Sequence, residues 1–392
     1  MRRVAMVLLI LIVLAGAFGL WLRSELRRPY RGYSQGQTFV EIPRGTPHWK
    51  IAGLLQRNGV IHSRVAFIAL SLRHRRRVLQ AGEYLFNQPM TPRQVFDQIA
   101  DGHIFVHVVV VPEGWTMFDI ANEVERQGLA SKQDFLRVAR NPSSVRDIAP
   151  RAPSLEGFLF PSTYEFSRHT TPEEIVATMV RQFREEWSKL QAIAPQPAPP
   201  DPIGEAHAAV NVTGSIVPPL SPEQLVTLAS LVERETPQPA ERPMVASVFY
   251  NRLKLGVPLQ CDPTVQYALD LAGKPTLKIT PDDLRISSLY NTYLHRGLPP
   301  GPIANPGDAS LRAVVNPAHT KYLYFVANDS GGHFFASTLE EHNRNVARYR
   351  RLLQGLPAEP PPPPPPPQHK KPARARSTHH KGAVKRKSGS HR

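Results

Sequence analysis

One cysteine among 392 residues leaves nothing from which to build a disulfide framework or a multi-cysteine metal site. Other familiar chemistry is missing too. No HExxH, Walker or dinucleotide fingerprint occurs, and His319, His333 and His342 lack a metal-ligand spacing. No Gly-x-Ser-x-Gly elbow is present to carry serine hydrolysis. No metal and no cofactor are expected, and Cys261 reads as a buried bystander despite its neighbour Asp262.

Acidic residues are scarce as well, with 32 Asp and Glu against 48 Lys and Arg for a net charge of +16. Such a balance ordinarily points to an acidic partner such as nucleic acid. Its distribution argues otherwise. Eight consecutive prolines from Pro360 to Pro367 lead into Gln368 to Arg392, which holds nine Lys or Arg and no acid. Residues 356–392 read as a disordered tail, a stiff polyproline spacer carrying solvated charge. No nucleic-acid partner is expected; the tail instead suits anionic phospholipid or cell-wall polymer.

At the other end, Val4 to Leu22 contains no charged side chain and is long enough to cross a hydrocarbon core of about 30 Å. Residues 4–22 are read as a transmembrane helix. A cleaved signal peptide is the rival, because Ala15 and Ala17 make a small-x-small pattern, but cleavage there leaves an apolar stub. Basic residues flank both sides, so charge does not set the orientation. The short N-terminal side makes residues 1–3 cytoplasmic by default and places the bulk of the chain beyond the membrane.

Within that bulk a pattern recurs 69 residues apart. Ile42-Pro43-Arg44-Gly45 leads into Ile51, Ala52, Arg57 and Gly59, and Val111-Pro112-Glu113-Gly114 leads into Ile120, Ala121, Arg126 and Gly128. Each copy reads as a strand, a Pro/Gly turn and a glycine-closed helix. Between them lie a helix from Ser63, a strand at Gly82 to Phe86 and a helix opened by Thr91 and Pro92. Residues 37–108 form a small α+β module on this reading, and 109–355 a larger α+β domain interrupted by a Pro-rich insertion at about 195–219. Tyr322 to Val326 reads as a buried strand. The glycines and prolines of Gly297 to Ile303 permit close approach of a ligand to the backbone.

The larger domain contains an unusual helix. Ser221 caps it, Pro222 takes its first position, Gln224 completes a capping box and Pro237 ends it. Leu225, Leu228, Ala229, Val232 and Glu235 share one stripe, so Glu235 points where the core points. A carboxylate there faces the negative end of the macrodipole and partial burial, and both raise its pKa, as suits a general acid. The ordinary alternative is a solvated helix end, with Glu233 and Glu235 paired to Arg234 or Arg242. Carboxylates amid Tyr, Asn, Gln and Phe fit carbohydrate, and equally an ordinary surface.

Seven motifs narrow the choice. Leu155-Glu156-Gly157-Phe158-Leu159-Phe160-Pro161, Glu233-Arg234-Glu235-Thr236 with the run before it, Val245 to Leu253, Leu259-Gln260-Cys261-Asp262-Pro263-Thr264-Val265, Tyr290-Asn291-Thr292-Tyr293, Gly297 to Ile303 and Tyr322 to Val326 resemble, in order, the YceG-like family of endolytic murein transglycosylases (MltG). The resemblance covers roughly Phe39 to Leu353. It implies a single-pass inner-membrane protein with a LysM-like module and a periplasmic catalytic domain. It also implies cleavage of nascent peptidoglycan glycan strands beside the cell-wall synthases, the penicillin-binding proteins, to terminate elongation.

By position the family's catalytic glutamate falls on Glu235. Expected substrate-binding positions are Glu156, Glu233, Asn251, Arg252, Gln260, Asp262, Tyr290, Asn291, Tyr293 and His333. The chain departs from the family at Ser162, where Asp is usual, at Cys261, where Thr or Ser is common, and in Gly332-His333-Phe334-Phe335. Two other outcomes stay open: a muramidase-type hydrolase using a second carboxylate such as Asp262 or Glu156, and a non-catalytic glycan-binding scaffold.

Overall fold

The computed structural model describes residues 2–193, 220–276 and 278–355. The expected Pro-rich insertion at about 195–219 and the expected tail at 356–392 lie outside the described residues. The chain opens with α1 (Arg2–Arg27), a helix long and apolar enough to span a membrane and exposed along nearly its whole length. A first body follows, built from β1 (Thr38–Ile42), α2 (His48–Arg57), α3 (Arg64–Arg73), β2 (Gly82–Phe86) and α4 (Pro92–Ala100). A second holds β3 (His107–Val110), α5 (Met117–Arg126), α6 (Lys132–Ala139), β4 (Thr163–Phe166), α7 (Pro172–Ile193), α8 (Pro222–Glu235), α9 (Arg242–Leu255), α10 (Asp262–Leu271), α11 (Asp308–Val315), β5 (Tyr324–Ala327), β6 (His333–Ala336) and α12 (Leu339–Leu353).

The three sheets among the described residues are two-stranded and antiparallel, pairing β1 with β2, β3 with β4 and β5 with β6. A two-stranded ribbon buries too little to stand alone, so each depends on the helices packed against it. Each body has its own apolar core. Val40, Ile42, Ile51, Leu55, Phe67, Tyr84 and Phe96 anchor the smaller, and Phe135, Phe158, Phe183, Val226, Leu231 and Phe249 the larger. The strand β3, which starts at His107, pairs with β4 and so sits with the second body.

The duplicated motif adopts one local structure twice. Gly45 and Gly114 turn the chain at φ 74° and 79°, Ile51, Ala52, Ile120 and Ala121 are buried, and Gly59 and Gly128 close the helices at φ 69° and 70°. Caps fall where side chains allow them. Thr91 and Gln94 form a capping box on α4, and Ser221 and Gln224 one on α8.

Two expectations change. The strand β5, placed at Tyr324–Ala327, is half-buried along its length, because its ribbon carries helix on one face and borders a cleft on the other. Within Gly297 to Ile303, residues 301–303 are buried, so the close approach that Gly301 permits is to the chain itself, while Gly297 stays half-buried with nothing within 4 Å of its Cβ position. A Cβ on Gly301 would lie 2.9 Å from Pro153, and one on Gly157 would lie 2.4 Å from Pro302. Gly157 also sits at φ 86°, a conformation that disfavours side chains. Gly157→Ala is expected to cost about 3 kcal/mol through strain and overpacking together, seen as a lower midpoint in denaturant unfolding of the detergent-solubilised protein.

Candidate active site

The site is organised around the C-terminal end of α8. This helix is buried on most of its circumference, with Val226, Thr227, Ser230 and Leu231 as enclosed as Leu228, Ala229 and Val232. The single-stripe picture is therefore too simple. What separates the two acids of Glu233-Arg234-Glu235 is what each one meets.

Glu233 meets a cation. Its Oε1 lies 2.7 Å from the Arg242 guanidinium and its Oε2 accepts from the Gly307 N–H at 2.9 Å. Arg242 reaches Glu113 as well, at 3.3 Å. Burial pushes the Glu233 carboxyl up, while the Gly307 hydrogen bond and Arg242 act against it. The ordinary ion-pair alternative thus describes Glu233. Arg234 donates to the Gly114 carbonyl at 3.2 Å and so fastens the helix end to the turn before α5.

Among the described residues no cation is bonded to Glu235, and it lines a cleft. Burial raises its pKa to about 7; the Cys261 thiol hydrogen-bonds the carboxyl and lowers it, nearby Asp262 raises it further, and Arg252 and Arg234 pull it down. The residue keeps partial exposure, and that exposed part faces the cleft. Thr236 then leaves the helix in extended conformation at φ −137°, as the following Pro237 requires.

The cleft has a volume of about 370 Å³. Around Glu235 stand Arg252 from α9, Leu259 and Gln260 from the α9–α10 connection, Asp262 opening α10, and Tyr293. The far wall is β5 (Phe325, Val326, Ala327), His333 of β6 and His342 of α12. Of the expected residues, Glu235, Arg252, Gln260, Asp262, Tyr293 and His333 are thus brought together.

Their supports are specific. Arg252 donates from Nε to the Leu323 carbonyl at 2.6 Å and from NH1 to the Pro258 and Leu259 carbonyls at 3.0 Å, with Tyr324 5.1 Å from the guanidinium. It is a cation locked in place beside Glu235, and burial lowers its pKa. Gln260 has φ 53°, the one positive value at a non-glycine position among the described residues. A strained residue at a cleft wall persists only where its surroundings hold it. Here Arg252 reaches its Oε1 at 3.3 Å, and Thr292 accepts from its backbone N–H and from that of Cys261. The Tyr293 hydroxyl donates to Asp262.

The other expected residues sit elsewhere. The Glu156 carboxyl, fully buried, accepts from the Met117 N–H at 3.0 Å and from the Asn305 amide at 2.9 Å, and burial raises its pKa to about 8. Asn251 donates to the Thr320 and Tyr322 carbonyls, holding the chain that leads into β5. Asn291 spans the Leu284 and Ile286 carbonyls and the Tyr293 N–H. Tyr290 packs on Tyr267 with ring centroids 5.0 Å apart. None of these, nor Glu233, borders the cleft; each braces a segment that does, or the core beneath it.

Four residues escaped sequence reasoning. Glu241 holds His333 by two contacts, to its N–H at 2.9 Å and its Nδ1 at 2.7 Å. Thr292 pins the strained Gln260 loop. Asn305 is a buried hub. His342 stacks on Tyr324 at 5.1 Å and borders the cleft, its pKa lowered by burial and by Arg252. Thr292 alone had a signal, its place within the Tyr-Asn-Thr-Tyr block. Among the described residues no group of three or more His, Cys, Asp or Glu side chains is placed to hold a metal ion.

Comparison with known proteins covers most of this architecture. The family model of the YceG-like family matches residues 40–348. An endolytic murein transglycosylase of Bacillus subtilis is 32% identical over 361 residues, spanning 86% of this chain and 91% of that protein. A protein of the same name from Streptococcus pneumoniae serotype 2 is 28% identical over 375 residues, spanning 88% of this chain and 64% of its own length. A crystal structure of a yceG-like protein from Listeria monocytogenes is 32% identical, covers 79% of this chain and 99% of its own, and superposes with a TM-score of 0.49. With a match that runs from β1 into α12 and over nine-tenths of the Bacillus relative, this chain belongs to the YceG-like family.

Proposed function

We propose that this chain is an endolytic murein transglycosylase that cuts the β-1,4 bond between MurNAc and GlcNAc inside nascent glycan strands, with Glu235 as its acid/base. The observation that carries the reading is a carboxyl raised to about 7 at the wall of an open cleft, in a member of a family whose relatives bear that name. The neutral Glu235 gives its proton to the glycosidic oxygen as the bond to C1 breaks through an oxocarbenium-like state. The MurNAc C6 hydroxyl then closes onto C1 and its proton passes to the Glu235 carboxylate. The product ends in 1,6-anhydro-MurNAc, the acid is regenerated and no water is consumed.

Arg252, Gln260, Asp262, Tyr293 and His333 contact the sugar on this reading. Glu156, Glu233, Asn251, Tyr290 and Asn291 hold the walls. The smaller body is the LysM-like glycan-binding module, α1 is a single-pass anchor in the inner membrane with a cytoplasmic N-terminus, and the cleft works in the periplasm. Beside the synthases, the penicillin-binding proteins, such a cut terminates strand elongation.

Asp262 gives the hydrolytic reading one foothold, because it shares the cleft with Glu235 and ordinary glycosidases use two carboxylates. The products separate the readings, since hydrolysis adds one water and leaves a reducing end. Glu235→Gln is expected to slow formation of anhydro ends about 10²–10⁴-fold, followed by mass spectrometry on purified glycan strands. Anhydro products at the wild-type rate sink the assignment, and reducing ends from the wild type sink the transglycosylase chemistry.

The pH dependence follows from the same carboxyl. The free enzyme needs it protonated, so kcat/KM falls as pH rises through about 7. The negative charge of Asp262 raises that value, so Asp262→Asn moves the alkaline fall to lower pH while anhydro products persist. A hydrolase that used Asp262 as its second carboxylate would lose activity at every pH.

A further inference from the structure

Outside the cleft, the strongest unexplained feature is the exposed face of α3. Val65 and Leu72, one heptad apart, are 47% and 69% exposed, with Ile68 and Ala69 half-buried between them. Just beyond the helix Val78 is 76% exposed. Arg64, Arg73, Arg75 and Arg76 border this apolar stripe, all exposed and without an ion-pair partner among the described residues. A helix with an exposed apolar stripe and a cationic border suits a membrane interface.

The charge around it is one-sided. Residues 23–106 hold thirteen Lys or Arg and five Asp or Glu. Every one of those acids is engaged: Glu25 with His62, Glu41 with His169, Glu83 with His107 and Arg168, and Asp97 and Asp101 with Arg77. What remains outward is positive.

The position of α3 relative to the anchor settles what meets it. Leu22, Glu25 and Leu26 of α1 lose exposure against the smaller body, with α3 and α4 as the helices in contact. Glu25 lies 3.1 Å from the Nδ1 of His62, which directly precedes Ser63, the cap of α3. Beyond the helix, Tyr30 bridges to Met90 and the Gly32 N–H bonds the Gly59 carbonyl at 2.8 Å. No free linker separates anchor from body. The end of α1 and the start of α3 are therefore side by side, and a bilayer spanned by α1 brings its surface close to α3.

We infer that α3 seats on the leaflet from which α1 emerges, with Val65 and Leu72 among the headgroups and upper acyl chains and Arg64, Arg73, Arg75 and Arg76 on the phosphates of anionic phospholipid. The occupant is lipid because the chain's own membrane helix delivers this face to the bilayer surface and because the unpaired charge is all of one sign. The ion pairs from Glu83 to His107 and Arg168 join this body to β3 and the residues after β4, so the contact also orients the domain that holds the cleft.

The test uses the full chain in lipid nanodiscs, with a polarity-sensitive fluorophore on Leu72→Cys. In discs containing phosphatidylglycerol the probe shifts to the blue and is quenched by lipid spin-labelled near the headgroup, whereas the same probe on Leu289→Cys is not. Replacing phosphatidylglycerol with phosphatidylcholine, or changing Arg73, Arg75 and Arg76 together to Gln, weakens the seating roughly 10²-fold. Cleavage of detergent-solubilised glycan by the triple variant stays at the parent rate, which shows that it folds. An unquenched probe at Leu72 overturns the inference. So does equal quenching in neutral lipid, and so does a probe shielded from aqueous iodide but untouched by the lipid label, which would mean that protein covers this face.

Discussion

A buried amide and a buried carboxyl tie the catalytic body together. The Asn305 side chain accepts from the Gly157 and Leu159 N–H groups at 2.9 Å and donates to the Trp115 carbonyl and to Glu156, which also accepts from the first N–H of α5. Three segments spread over 190 positions of the chain are thereby fixed at one point. Each group would be costly to bury alone, and together they are satisfied. A network of this kind tolerates little displacement, because loss of one member strands the rest.

The end of α8 hangs from this point. Gly307, two residues beyond Asn305, donates to Glu233, and Gly114, beside Trp115, accepts from Arg234. The first two members of the Glu-Arg-Glu triplet are therefore consumed in holding the helix end against the hub. Only the third lines the cleft. Its surroundings are partly apolar, and its nearest hydrogen-bond partner is a thiol, a weak donor, so desolvation outweighs the cations at a distance. The macrodipole is not needed to account for the direction of the shift.

The wall opposite Glu235 is held differently. The ribbon β5–β6 packs on α9 and α12 and is fastened by Asn251, Arg252 and Glu241 through its backbone and His333. These are polar contacts along a half-buried edge, in contrast to the apolar enclosure of α8. The cleft lies between an element that is rigid through burial and one that is positioned through hydrogen bonds.

Much was legible in the sequence because it depends on neighbours in the chain. The caps of α4 and α8, the stop at Pro237 and the duplicated strand-turn-helix all follow from local backbone preferences, and an uncharged run near the N-terminus is a matter of counting. Residue identity also brought Glu235 forward, since a carboxylate ending an apolar helix is costly without a purpose. What the sequence could not decide was how acids of the same type divide their duties. Glu156 sits in one of the motifs that resemble the family yet bonds Met117 and Asn305, Glu233 pairs with Arg242, and Glu235 and Asp262 meet in one cleft. Those assignments rest on partners 9 to 149 positions away in the chain. Burial and pairing are properties of the space around a side chain, so the tertiary structure alone decided which carboxyls are held in ion pairs and buried networks and which line the cleft.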